Sequence, residues 1–204
     1  MKKVLLIIVI IIGFGNLSSK AKGGGNGRFS VGPEIGLPLG NFGDAQGIGF
    51  GGTLRYEMPV GNNLGITGTA GYLTFTGKNI TILGVTTKGE STYLIPVQAG
   101  LKYYFMGQQE GFYGHVMLGV HMYKTVEATF NPTTYAISTK NSVKAALSYA
   151  PEIGYHLDNL DFGLRYQLFT ISNNIVDPFS GTSVSASSTS GYVGLRVAYV
   201  FGEK

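Results

Sequence analysis

The chain has 204 residues, of which 44% are hydrophobic and 13% charged, about half the charged share of an ordinary soluble domain. Its 13 Tyr and 12 Phe exclude disorder. The absence of Cys excludes a disulfide framework, thiol chemistry and acylation as a lipoprotein. Gly, at 32 residues, follows no three-residue period, so it suits tightly wound strands rather than collagen.

At the N-terminus, Lys2 and Lys3 precede the apolar run Val4 to Ile12, and Ser19-Lys20-Ala21 supplies small residues where a signal peptidase reads. Residues 1–21 therefore read as a signal peptide, with a retained anchor as the alternative; the run is too short to span a bilayer comfortably. Cleavage would remove Lys2, Lys3 and Lys20, leaving 12 basic and 11 acidic residues. The formal +4 thus falls to about +1, which gives no basic surface for nucleic acid. Residues 22–27 (KGGGNG) form a short flexible leader, and residues 28–202 form the folded domain.

The first strand runs from Arg28 to Leu37, with Phe29, Val31, Ile35 and Leu37 on one parity and Ser30, Gly32, Glu34 and Gly36 on the other. Pro33 marks a bulge or a seam. Beyond a loop at 38–46, the second strand (47–58) sets Ile48, Phe50, Leu54, Tyr56 and Met58 against Thr53, Arg55 and Glu57. Its Gly47, Gly49 and Gly52 fit G-x-G-x-x-G, but no helix follows, so a dinucleotide site is dismissed. After a tight turn at 59–63 the third strand (64–76) places Leu64, Ile66, Ala70 and Tyr72 together. The segment 77–90 follows, and its piece 80–87 is expected to prolong the adjoining strands.

The clearest unit is 91–125. Tyr93, Ile95, Val97, Ala99, Leu101, Tyr103 and Phe105 alternate with Pro96, Gln98, Gly100 and Lys102. After a turn at 106–111, Phe112, Val116, Leu118, Val120 and Met122 alternate with Tyr113, His115, Gly119 and His121. This is a hairpin of long strands. A polar loop, 126–142, leads to a sixth strand with Val143, Ala145, Leu147, Tyr149, Ile153 and Tyr155 on one side. Asp158-Asn159 is a turn signal. The seventh strand (161–171) sets Phe162, Leu164, Tyr166 and Leu168 against Gly163, Arg165 and Gln167, a polar loop follows at 172–190, and the eighth strand covers 191–201.

Eight strands of about 10 to 15 residues, joined alternately by long loops and short turns, read as an all-β, eight-stranded antiparallel up-and-down transmembrane β-barrel of the outer membrane. A lipocalin-like soluble barrel has the same strand number. It would need a charged exterior, and the 23 charges of the mature chain are too few to cover one. The apolar parity is accordingly assigned to lipid and the polar parity to a narrow lumen.

The stretches YLIPVQAGLKYYF, FYGHVMLGVHMY and YVGLRVAYVF resemble the outer-membrane β-barrel proteins common in Bacteroidota, a group that includes PorT-like and OmpX-like eight-stranded barrels. The resemblance covers nearly the whole mature chain. It implies an outer-membrane location, with export by the signal peptide, and no agreed molecular activity. The last strand also resembles the insertion signal read by the barrel-assembly machinery, with Gly194, Val197, Tyr199 and Phe201 in matching positions, although Gly202-Glu203-Lys204 follow the terminal aromatic.

Pairing of neighbouring strands places Glu152 opposite Arg165, Arg165 near Arg196, and Arg196 near Glu34 across the closing seam. This belt compensates buried charge and fills a lumen only wide enough for side chains. Arg55, Glu57, Lys102, His115, His121 and His156 are further lumenal polar residues. His115 and His121, six residues apart on one strand, are separated by about 20 Å and cannot share a metal. His115 is expected near Lys102 and His156 opposite Asp161. No cofactor or metal is implied. A hydrolytic pair of His121 with Ser148 lacks a carboxylate at its level. Tyr103, Tyr104, Phe105, Phe112 and Tyr113, with Tyr155, Tyr199 and Phe201, suggest an aromatic girdle at the turn end.

The expected function is that of a non-enzymatic barrel with its lumen plugged. Its partners are outer-membrane lipid, the assembly machinery during insertion, and an envelope protein or extracellular ligand at the loops. The alternatives are an accessory role in secretion or assembly, a lipid A acylase or acyltransferase, and a small-solute pore.

Overall fold

The computed structural model describes residues 27–82, 85–87, 89–107, 109–131, 136–176 and 183–201. The expected signal peptide, most of the leader and the residues after Phe201 lie outside the described residues. In chain order the elements are β1 (Arg28–Leu39), α1 (Gly40–Ala45), β2 (Gln46–Pro59), β3 (Leu64–Gly77), β4 (Ile80–Ile82), β5 (Val85–Thr87), β6 (Thr92–Tyr104), β7 (Gly111–Asn131), β8 (Ala136–Leu157), β9 (Leu160–Val176) and β10 (Ser183–Phe201).

Eight of the strands form a closed antiparallel barrel in the order β1-β10-β9-β8-β7-β6-β3-β2, with β1 against β10 closing the ring. The alternation of side chains places Phe29, Ile35, Phe50, Val116, Leu118, Leu147, Ile153 and Leu164 on the outer surface; Leu118 is 66% and Leu147 70% exposed. The opposite parity is inside, where Arg165 is 1% and Arg196 0% exposed. The barrel therefore has a charged interior and an apolar exterior, the reverse of a water-soluble fold.

Three of the prolines inside barrel strands, at 33, 96 and 151, mark places where a strand's ladder to one neighbour is interrupted. Register with the adjacent strand skips Gly32 and Pro33 on β1–β10, Ile95 and Pro96 on β3–β6, and Ala150 and Pro151 on β8–β9. Each proline still has a partner on its other side, namely Gly52, His121 and Val116. A proline has no N–H for the ladder, so the break falls on one edge. Register on both sides of Pro33 is the same, so it lies at the closing seam without a bulge. The irregularity in β2 falls instead between Gln46 and Gly49, within the stretch that carried the glycine fingerprint.

Several boundaries differ from the sequence reading. Barrel strands run from 12 to 22 residues. Residues assigned to the polar loops at 126–142 and 172–190 mostly continue the β7–β8 and β9–β10 ladders. The reason lies in the sequence: these stretches carry Ser, Thr and Asn at both parities, so no apolar period marks them as strands. Segment 80–87 is a separate two-stranded hairpin, not a prolongation of barrel strands. Within 38–46, β1 extends to Leu39 and a six-residue helix follows.

The closing seam is tight at Gly32. A Cβ there would meet the Val197 carbonyl at 2.0 Å and Ala198 Cα at 2.4 Å. Gly32→Ala forces β1 away from β10 at the one pairing that joins the chain's two ends, and overpacking of this kind costs about 1–3 kcal/mol. The expected outcome is a lower urea midpoint for the refolded protein, with no such drop for Gly68→Ala, where a Cβ meets nothing within 4 Å.

Candidate functional site: the charged lumen

Alternation on every strand sends one residue in two into a cylinder too narrow for bulk water, so the inward residues must satisfy one another. Among the described residues, five cations (Arg28, Arg55, Lys102, Arg165, Arg196) and four carboxylates (Glu34, Glu57, Glu152, Asp161) are buried. They are arranged in tiers that start at the short-turn end.

Nearest the turns, Glu57 accepts from Arg28 Nη2 at 2.9 Å, Lys102 Nζ at 3.3 Å and the Tyr104 hydroxyl at 2.8 Å. The next tier centres on Asp161, which accepts from Lys102 Nζ at 2.5 Å, Arg196 Nη1 at 3.1 Å and the Tyr113 hydroxyl at 2.9 Å. Lys102 also lies 3.8 Å from the centre of the Tyr113 ring, a cation–π contact in a dry setting. Tyr113 fits because Gly154 sits beneath it: a Cβ at Gly154 would come within 2.2 Å of the ring.

Above this, Glu152 accepts a bidentate pair from Arg55, with both N–O distances 2.8 Å, and lies 3.2 Å from His115 Nδ1. Planar fork-to-carboxylate contact is the geometry in which a buried arginine is best compensated. Arg196 completes its donors on Thr53 at 2.7 Å and on the Ser30 hydroxyl at 2.8 Å. Arg165 pairs with Glu34 and donates to the Tyr192 hydroxyl at 3.0 Å.

The backbone registers place Glu152 beside Arg165 and Glu34 beside Arg196. The ion pairs nonetheless do not follow the strands. Glu152 pairs with Arg55, Arg196 with Asp161, and Glu34 with Arg165. The expected belt Glu152–Arg165–Arg196–Glu34 is therefore corrected. Long arginine side chains reach across the lumen, where a second carboxylate gives better geometry than the neighbour in register. Sequence reasoning left Arg28, Asp161 and Tyr104 out of the network, although Asp161 shares parity with Arg165, and Arg28 shares it with Glu34.

The histidines are placed as separate packing units. His115 bridges Thr67 at 2.8 Å and Glu152, and His156 lies 3.6 Å from Asp161. His121 stacks on Phe169 with ring centres 5.4 Å apart, and neither of its nitrogens has a hydrogen-bond partner. Ser148 accepts instead from Gln98 at 3.2 Å, so the His121–Ser148 pair is not formed. Among the described residues no three ligand-type side chains converge as a metal site.

At the loop end Phe42, Leu73, Phe75, Leu94, Tyr123, Ala146, Phe169 and Tyr192 form one buried apolar cluster. Phe42, from α1, lies edge-on to Phe75 at 5.0 Å and to Phe169 at 5.4 Å. It is a cork that the sequence reading missed, since a single aromatic in a Gly-rich loop has no period to reveal it. The girdle also needs correction. Tyr103, Phe105, Phe112, Tyr199 and Phe201 point outward, whereas Tyr104 and Tyr113 are buried in the network.

No protein-family profile matches the chain and no curated protein matches it in sequence. Solved structures do resemble its fold. The crystal structure of Ail, the attachment invasion locus protein of Yersinia pestis, is 15% identical with a TM-score of 0.52, over 87% of this chain and 99% of that one. The same outer membrane protein in a phospholipid bilayer nanodisc gives 0.51 at 15% identity, with the same coverage. Neisserial surface protein A is 12% identical with a TM-score of 0.50, over 88% of this chain and 100% of that one. At these identities the likeness is one of fold.

Removing one partner of the best-formed pair leaves the buried Glu152 carboxylate without its bidentate cation, with only His115 and the Tyr113 hydroxyl beside it. Arg55→Ala is expected to destabilise by about 3–5 kcal/mol, and the double change Arg55→Leu with Glu152→Leu by much less. Urea unfolding in lipid vesicles checks both.

Proposed function

We propose that the chain is an integral outer-membrane β-barrel with a closed lumen and no enzymatic activity, acting through contacts made at its loop end. One observation carries the reading: the wall exposes Leu118, Leu147 and Ile153 while Arg55, Arg165 and Arg196 are buried. In water, a sheath of exposed large apolar residues around the whole barrel would drive aggregation. In a bilayer the same sheath is solvated, and closure of the sheet leaves no backbone edge in hydrocarbon. Outward Tyr103, Phe105, Phe112, Tyr199 and Phe201 fall at the short-turn end, where an interfacial girdle anchors a barrel.

Two features support a closed, non-catalytic barrel. The ionic tiers and the aromatic cork occupy the cross-section at successive heights, and His121 makes no bond to Ser148 or to a carboxylate. Contacts with other envelope molecules are assigned to the β7–β8 and β9–β10 hairpins, whose ladders extend well past those of β1, β2, β3 and β6. A role as an accessory to secretion or assembly uses the same surface. Crosslinking in intact cells against crosslinking in purified envelopes separates an extracellular partner from one in the assembly apparatus.

Heat-modifiable gel migration in membrane fractions tests the placement. Leu118→Arg, on the outer face, is expected to destabilise the refolded barrel by about 2–4 kcal/mol in vesicles; an unchanged midpoint argues against a lipid-facing wall. Planar bilayers containing the protein are expected to show no conductance steps, and discrete steps would overturn the closed lumen.

A further inference from the structure

Between the ionic tiers and the aromatic cork lies a layer of side chains with polar atoms that the network leaves unpartnered. His121, Arg165, Gln98 and Gln167 are each 4% exposed or less. Six of their polar atoms have no hydrogen-bond partner in the protein: both His121 nitrogens, Arg165 Nε and Nη1, and the Oε1 atoms of Gln98 and Gln167.

These groups form one layer. Gln98, Gly119, Ser148 and Phe169 are in register on β6, β7, β8 and β9, with His121 two residues further out and Gln167 two residues further in. Arg165 and His121 meet at Tyr192: the guanidinium donates to its hydroxyl at 3.0 Å, and the imidazole lies 6.5 Å from its ring centre. At this level β7 and β8 carry Gly119, Ala146, Ser148 and Ala150 inward, beside the longer Met117 and His121.

We propose that this layer is a binding site for a small cluster of internal water, sealed on the loop side by Phe42. The inference rests on the lumen's own geometry and is independent of where the barrel resides. Water is the guest that the chemistry selects, because the unpartnered atoms are mixed. Arg165 offers donors, Gln98 and Gln167 offer acceptors, and neutral His121 offers one of each. An anion would suit the two Arg165 donors but would be repelled by the Glu34 carboxylate paired with the same arginine. A cation would suit the amide oxygens and meet the guanidinium. Buried polar groups are ordinarily satisfied, and water bonded to two to four of them is the usual means when protein partners are lacking. Phe42, packed edge-on against Phe169, which itself stacks on His121, covers this layer from the loop side.

The test is water-to-protein magnetisation transfer in the isotope-labelled, refolded full chain in detergent micelles, with folding verified by heat-modifiable migration. Cross-peaks from water to the His121 ring and to Arg165 Nε–H are expected, and in His121→Phe the peak at Arg165 should persist. A folded protein without water contact at either group overturns the site. Phe42→Ala should accelerate exchange of Arg165 Nε–H with bulk water by about tenfold, since the cork then no longer limits opening. An unchanged exchange rate in the folded variant refutes Phe42 as the seal.

Discussion

Nine formal charges held inside an eight-stranded cylinder persist only where each is met by an opposite charge or a hydrogen bond, because the penalty for removing an ion from water is several kcal/mol per group. The rest of the barrel is arranged around this requirement. Glu57, Asp161 and Glu152 each collect three or more donors, and the phenols of Tyr104 and Tyr113 add hydrogen bonds that aliphatic side chains would not supply. Long cations reach across the lumen to the carboxylate that offers the best geometry, not to the one opposite on the neighbouring strand. The network thereby ties β1, β2, β6, β8, β9 and β10 together through side chains as well as ladders.

A filled interior also frees the outer face from any duty except solvation by its surroundings. In the proposed bilayer setting, Leu, Val, Ile, Phe and Tyr on the outside need no jigsaw complementarity, since lipid chains adapt to them. The specificity of the fold then resides where the wall is least forgiving. Gly32 allows β1 to approach β10 at the closing seam, and Gly154 allows Tyr113 to lie across the sheet. The prolines at 33, 96 and 151 sit where one ladder is interrupted, and antiparallel pairing to the other neighbour carries the strand past each break.

The lumen is graded along its length. The turn end is ionic, the middle is polar with unpaired amide and imidazole atoms, and the loop end is aromatic and dry. The ionic tiers link strands across the lumen through charged side chains, while the cork at α1 is held by the edge-on contacts of Phe42 with Phe75 and Phe169.

Much of this was legible in the residues before any coordinates. Period-two alternation from Tyr93 to Phe105, and again from Phe112 to Met122, determines which side chains share a face. The scarcity of charge determines that the apolar face is the outer one. The strand number and the alternation of long and short connections follow from turn chemistry at PVGNN and Asp158-Asn159. What only the tertiary structure decided is which lumenal groups meet. A one-dimensional register places Glu152 beside Arg165, but the bond it makes is to Arg55, on a strand 97 residues away in sequence, because a closed cylinder brings non-adjacent strands within reach of an arginine. The cork escaped for a related reason: Phe42 has meaning only once the ring has closed beneath it and its mouth exposes Phe75 and Phe169 as partners.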